Sequence, residues 1–423
     1  MLIEFSVTNY RSINQKQTLS MVAAKGGTAE DKNTFPTNIS GLPYLLRSAV
    51  IYGANASGKT NVIRALAFMR SFVINSFSQL SEGSSINVKP FLFDAVSAKN
   101  PSEFEIIFVI DGTRYQYGFS VNGAMITEEW LISYPPGKHH LWFTRMFDHE
   151  SSGYKWQFGR NFTGQKKVIK TATRQNSLFL STAIALNDDQ LKPVYNWFLN
   201  KLLALSDLKR LVYGNTINCY ESNPGRIMSF LKTADTGISD IKLEKEPIYP
   251  NVQKIEGLLL SLPANEINEI AKTFKIVTGI KTIHNSGNGQ ITLDFVDDES
   301  LGTQKMFNLS GLWLDVLDNG GVLVVDELDS SLHSLLVRHL VGIFHNTETN
   351  PKNAQLIINT HDTTLLNPDI YRRDQVWFTE KDNFGATKLY SLVEFKPDKN
   401  ENIEKGYLRG RYGAIPFIGD FEF

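Results

Sequence analysis

The chain has 423 residues, 42% hydrophobic and 21% charged, long enough for more than one domain and ordinary for a globular protein. Lys+Arg 43 against Asp+Glu 44 leaves a formal charge of −1, so no overall basic excess advertises nucleic acid, although net charge says nothing about its distribution. The single Cys219 excludes an internal disulfide and a cysteine-rich zinc site. No apolar run is long enough to span a bilayer, and the opening "MLIEFSVTNYRS" lacks the basic-then-apolar build of a signal peptide. The expectation is a cytoplasmic protein with no membrane partner.

In chain order, "RSAVIY" is apolar and β-branched enough for a buried strand, and "NVIRALAFMRSFVI" repeats apolar residues at helical spacing. Between them Gly53–Thr60 fits G-x-x-x-x-G-K-[ST], with strand and helix on the required sides. Gly53 and Gly58 let the backbone wrap a phosphate, and the N–H groups of the loop, Asn55 and Ser57 included, point inward at a helix start. Lys59 adds a charge for the β/γ phosphates, and Thr60 offers a hydroxyl to Mg²⁺.

Residues 103–158 alternate, with turn signals at Asp111-Gly112, Asn122-Gly123 and Pro136-Gly137, and predict an antiparallel meander. Residues 175–283 predict a compact, mostly helical insert, because "DDQLKPVYNWFLNKLLALS" and "PANEINEIAKTFKIVTG" carry helical spacing. "HNSGNGQ" (284–290) reads as a loop or hairpin turn. Sustained heptads of a long coiled coil are missing.

Farther on, "GVLVVDE" (321–327) predicts a buried strand that delivers two acids to its end. Asp326 would hold Mg²⁺, and Glu327 would orient or deprotonate the attacking water. "NAQLIINTHD" predicts another strand ending in His361, a candidate γ-phosphate sensor, since ligands of open α/β sheets gather at strand carboxyl ends. In the tail, Arg409, Arg411 and Tyr412 read either as a contact for a partner or nucleic acid, or as a packed turn with solvated arginines.

Gly53–Thr60, Asp326–Glu327 and His361 together resemble the ABC-type ATPase core of the RecF and SMC-like branch. "NYRS" (Asn9–Ser12) is similar to the N-terminal motif of those proteins, which places Arg11 near the nucleotide. Asn61 follows the phosphate loop as theirs does, and "DELDSSLH" is similar to their Walker B segment. The best match to their signature is "ESLGTQKMFNLSGLW", giving Ser300, Gly302 and Thr303 the signature roles, although Ser300 also reads as a helix N-cap. The resemblance implies an α/β, ABC-type P-loop ATPase core with an antiparallel β subdomain and a compact helical insert. The expected divisions are 1–160, 161–285 and 286–423. It also implies ATP and Mg²⁺ as cofactors, ATP hydrolysis, and a homodimer in which each signature covers the other protomer's ATP.

"VIYGANASGKTN", "VKPFLFD", "TRQNSLFLS" and "RYGAIPFIG" resemble a narrower group, bacterial ATPases of abortive infection and anti-phage defence of the RloA/AbiL type. The PARIS ATPase and the ATPase half of OLD nucleases are more distantly similar. The segment after His361 lacks the length and acidic clustering of a metal-dependent nuclease, so the resemblance implies a separately encoded effector, such as a TOPRIM-like nuclease. The alternative is a RecF-like, DNA-binding ATPase of repair or maintenance.

Overall fold

The structure, a computed structural model, describes residues 1–24, 32–206, 213–247, 275–398 and 401–416. The chain divides into two compact units, Met1–Arg210 with Val316–Phe423, and Leu211–Asp315.

The first unit holds two large sheets. One has seven antiparallel strands in the order Gly153–Phe158, His140–Asp148, Ile126–Tyr134, Thr113–Val121, Ser102–Ile110, Leu2–Thr8 and Gln17–Ser20. Five of these are the meander expected over 103–158. Its first turn works because Asp111 and Gly112 both take positive φ, 46° and 75°, as the tightest hairpins require. The two N-terminal strands extend the sheet beyond the meander.

The other sheet has six strands, in the order Leu202–Leu205, Val322–Val325, Gln355–Asn359, Ser48–Gly53, Val376–Lys381 and Thr387–Ser391. All its pairings are parallel except the last, where Val376–Lys381 and Thr387–Ser391 run antiparallel. Ser48–Gly53 is buried at every position, as a parallel strand covered on both faces must be.

The helix Lys59–Asn75 buries Val62, Ile63, Ala65, Leu66, Met69, Phe72 and Val73. One continuous core joins this helix to Phe104, Ile106 and Phe119 of the antiparallel sheet and to Ile51, Val322 and Ile357 of the parallel one. Phe68 lies 5.0 Å from Phe104 and Phe72 lies 5.4 Å from Phe119, ring centre to ring centre. Each buried aromatic contributes about 1.5–3 kcal/mol. Buried Gln355 clips the N-terminal strand to this core, accepting from Leu2 N–H at 2.6 Å and donating to the carbonyls of Leu2 and Leu46.

"TRQNSLFLS" has a structural explanation. Glu129 and Arg145 form an ion pair at 3.1 Å with neither side chain exposed. Glu129 also accepts from the N–H groups of Phe179 and Leu180 and from Tyr117 Oη, while Arg145 donates to the Ser177 carbonyl. The segment is the clasp that satisfies a buried charge pair.

The second unit contains the helices Gly214–Ser222 and Pro224–Thr233 and a three-stranded antiparallel sheet of Ile238–Pro247, Lys275–Ser286 and Gly289–Asp294. The helix Leu301–Asn319 begins in it and ends in the first unit. Thr216 Oγ1 donates to the carbonyls of Phe307 and Asn308, and Phe295 packs on Phe307 at 4.9 Å.

The mostly helical reading of 175–283 needs correction. Helix Lys192–Asn196 leads into one π turn, Trp197–Lys201, and then into the edge strand Leu202–Leu205 of the first unit's parallel sheet. Lys275–Ser286 is a strand, favoured by its β-branched Val277, Thr282 and Ile283. Residues 263–274 of the second expected helix lie outside the described residues. "HNSGNGQ" carries the hairpin turn between the last two strands.

Candidate nucleotide site

The loop after Ser48–Gly53 is held close to its neighbours. A side chain at Gly53 would meet the Thr379 carbonyl at 2.5 Å, and one at Gly58 would collide with Thr387. Gly58 also needs φ 110°, in the region that favours glycine. It caps the helix Lys59–Asn75 without any side-chain hydrogen bond. That leaves the helix start to its backbone N–H groups and its positive dipole end. Lys59 is 6% exposed, and its Nζ donates to the carbonyls of Gly53 at 2.7 Å and Ala54 at 3.1 Å. Burial holds its ammonium below the usual lysine range, while Glu327, Asp326 and Asp329 pull it back up.

Val322–Val325 delivers Asp326 beside this loop. Thr60 Oγ1 donates to Asp326 Oδ1 at 3.0 Å, joining residues 266 positions apart. Asn359, fully buried at the end of the neighbouring strand, donates to the same carboxylate oxygen. Its own Oδ1 accepts from Glu327 N–H at 2.5 Å. Glu327 sits at φ 50°, a left-handed conformation that costs a non-glycine residue about 1–3 kcal/mol. The Asn359 bond helps hold that conformation. Burial pushes the Asp326 carboxyl up, the bonds from Asn359 and Thr60 lower it, and neighbouring Glu327 raises it further. Two hard oxygen donors 3.0 Å apart beside an uncapped helix start and a buried lysine fit Mg²⁺ and a polyphosphate.

His361 follows the strand Gln355–Asn359 with its side chain exposed, and its backbone N–H donates to Asp329 Oδ2 at 3.0 Å. The "DELD" run and the "NTHD" run are thus tied at both ends, Asn359 to Asp326, Glu327 and Leu328, and Asp329 to His361.

The N-terminal motif reaches the same loop by another path. Ser12 Oγ bonds Thr387 Oγ1 at 2.7 Å, and Thr387 in turn reaches the Ser57 carbonyl. Asn61 Nδ2 donates to Ser12 Oγ at 2.7 Å. Asn61 thus ties the N-terminal motif to the helix. The Ser57 hydroxyl bonds Thr379 Oγ1 at 2.7 Å and anchors the loop to the adjoining strand. Asn55 is exposed on the loop. Arg11 sits at φ 52° with its guanidinium 5.6 Å from the Tyr10 ring centre.

Ser300, Gly302 and Thr303 belong to the second unit. Ser300 Oγ accepts from Thr303 N–H at 3.1 Å and bonds its hydroxyl at 2.9 Å, so it caps the helix Leu301–Asn319. In the tail, Tyr412 is buried and stacks on Phe378 at 5.9 Å, while exposed Arg411 pairs with Glu401 at 2.6 Å. This is the packed turn with solvated arginines.

Asn359, Thr379, Thr387 and Ser12 were missed as site residues. Asn359 had a readable signal, a polar residue closing the apolar run "LII" directly before Thr-His-Asp. The two threonines had none, because their place against Gly53 and Gly58 comes from strand pairing.

The family model AAA_21, described as "AAA domain, putative AbiEii toxin, Type IV TA system", matches residues 48–367. Among curated proteins none matches the sequence. Similar solved structures include three SMC heads. The first is the Smc head bound to the C-winged helix domain of ScpA, with TM-score 0.40, 12% identity, 92% of this chain and 97% of that one covered. The second is the SMC head domain from Thermotoga maritima, with TM-score 0.37, 12% identity, and 92% and 98% covered. The third is the Smc head domain with a coiled coil and joint derived from Pyrococcus yayanosii, with TM-score 0.35, 12% identity, and 94% and 99% covered.

Proposed function

The chain belongs to the AAA_21 family, and from that premise we propose that it is an ATP-driven switch that controls a separate effector in anti-phage defence. The observation that carries the ATPase part is the Thr60–Asp326 hydrogen bond, which brings the loop after the first parallel strand onto the acid pair. Bound ATP–Mg²⁺ supplies the phosphoanhydride to be cleaved and the cation that neutralises it. Backbone N–H groups of 53–60 and Lys59 bind the phosphates, with Arg11 beside them. Thr60 and Asp326 hold the metal. Glu327 takes the proton of the attacking water, Asn359 keeps Glu327 and Asp326 in register, and His361 senses the γ-phosphate. Ser300, Gly302 and Thr303 cover the ATP of a second copy, so ATP binding closes a homodimer and hydrolysis reopens it.

The family's description names a toxin–antitoxin system, which supports pairing this ATPase with an effector. In our reading that effector is a TOPRIM-like nuclease, held or released with the state of the dimer.

The test uses Glu327→Gln, expressed with its native neighbouring genes. ATP binding should persist while hydrolysis drops about 10²–10⁴-fold, as loss of a general base requires. Sedimentation should show a dimer with ATP–Mg²⁺ and not with ADP, and mass spectrometry should find a stoichiometric nuclease companion. Wild-type hydrolysis by this variant would refute the Glu327 role. A dimer that carries only DNA would favour a RecF-like maintenance ATPase.

A further inference from the structure

Two exposed aromatic rings lie on segments linked to the phosphate loop. Phe93 is 75% exposed and Phe384 is 80% exposed. They lie on different segments that meet, since a side chain built on Gly385 would touch the Phe93 ring at 3.4 Å. Large apolar side chains exposed together on one face mark a binding surface more often than chance.

Both segments are fastened to the nucleotide site. Phe384 sits in a tight turn that Asp382 closes, accepting from the N–H groups of Phe384 and Ala386 at 2.9 Å. Thr387 follows directly, and it touches Gly58, the Ser57 carbonyl and Ser12. Phe93 is held by "NYRS": Asn9 Oδ1 accepts from Phe91 N–H at 3.0 Å, and Arg11 N–H donates to the Lys89 carbonyl at 2.8 Å. The ring of Phe91 braces Phe93 edge-on at 5.6 Å. The N-terminal motif therefore positions two loops around the P-loop and points an aromatic residue out of each.

The spacing suits a nucleotide. Thr387 lies against the loop glycine, and the turn glycine is two residues away, about 7 Å along an extended strand. A group joined to the phosphates by one sugar reaches that far. We infer that Phe93 and Phe384 form the platform on which the purine base of the bound nucleotide stacks, with Arg11 supplying a cation at its edge. This rests on the nucleotide reading of Gly53–Thr60 and adds the half of the ligand which that motif leaves unread. A flat apolar platform grips by stacking, and stacking tolerates any base with a π face, so discrimination between ATP and GTP is weak.

The experiment compares ATP–Mg²⁺ with inorganic tripolyphosphate–Mg²⁺, which has phosphates and no base. Calorimetric titration is run on the full-length wild type, Phe93→Ala, Phe384→Ala and Phe384→Trp, with circular dichroism and thermal melts to check folding. The alanine variants should bind ATP about tenfold more weakly, in line with the loss of one stacking partner, and bind tripolyphosphate unchanged. Phe384→Trp should hold ATP at least as well as wild type. Equal losses for both ligands would make the rings props of the phosphate loop and overturn the inference. Unchanged ATP affinity with lost self-association would make the patch a protein contact and also overturn it. Failure of the wild type to bind either ligand would instead bring down the nucleotide reading, and this inference with it.

Discussion

Among the buried charges of the first unit, two groups are held in opposite ways. Glu129 and Arg145 have each other, two backbone amides, a tyrosine hydroxyl and a carbonyl. Arg145 also faces the Tyr154 and Trp156 rings at 5.1 and 5.6 Å. Among the described residues, Lys59 and Asp326 have only neutral neighbours in hydrogen-bond contact: carbonyls for the ammonium, a hydroxyl and an amide for the carboxylate. In the first arrangement the two opposite charges neutralise each other inside the core. In the second, burial opposes both charges, and a ligand carrying the complementary charges relieves both. A pair committed to each other makes structure, and charges kept apart make a binding site.

Breaking the closed pair should have the largest effect. Arg145→Ala leaves Glu129 buried and should cost about 3–5 kcal/mol in denaturant melts. Burial already pushes the Glu129 carboxyl up, against Arg145 and the three donors. With Arg145 gone the neutral form is favoured. The stability of that form is present at low pH and lost as pH rises through the raised pKa, so the deficit should be smaller at pH 5 than at pH 8. A loss under about 1 kcal/mol would show the pair to be dispensable.

Next comes the open group. Lys59→Ala should weaken ATP binding about 100-fold, near 2.7 kcal/mol, with little change in the melt. If it instead destabilises the fold as much as Arg145→Ala does, the contrast between the two groups is wrong.

Asn359→Ala removes the link between Asp326 and Glu327 and should cost about 1–3 kcal/mol in stability. Its hydrolysis rate should fall more than its ATP affinity, because Glu327 loses the bond that holds its φ of 50°. Equal falls in both would make Asn359 a packing residue only.

The smallest effect is the most diagnostic. Asp326→Asn keeps the acceptor for Thr60 and Asn359 and removes a charge that burial disfavours. The ligand-free protein should melt about 1–2 °C higher and lose its Mg²⁺ dependence of ATP binding. A lower melting point would show that the carboxylate stabilises the fold. In wild type, Mg²⁺-dependent binding should weaken as pH falls through the raised Asp326 pKa, because only the ionised form takes the cation.

The strand, loop and helix around Gly53–Thr60 could be read from local pattern, and so could the meander, whose turns announce themselves at Asp111-Gly112 and Pro136-Gly137. Asp326, Glu327 and His361 were legible because each follows a buried strand. The route from "NYRS" to the loop was not legible. It runs through Ser12 and Thr387, which are 375 residues apart. The stretch before Ser206 misled for a related reason. Its apolar residues keep helical spacing, yet Leu202–Leu205 finds an open edge beside Val322–Val325 and pairs there. Tertiary pairing overrode a weak local preference.

Chemistry that depends on neighbours in sequence was therefore set by the amino acids alone: a glycine where φ is positive, a lysine at a helix start, acids at the end of an apolar strand. Its physical basis is short-range, in backbone sterics and the period of burial. Which charges close on each other and which stay open was settled by the packing of two sheets against one helix. That packing brings Glu129 to Arg145, Thr60 to Asp326 and Phe93 to the turn at Gly385. Such contacts depend on strand order and register, and no local run of residues encodes those.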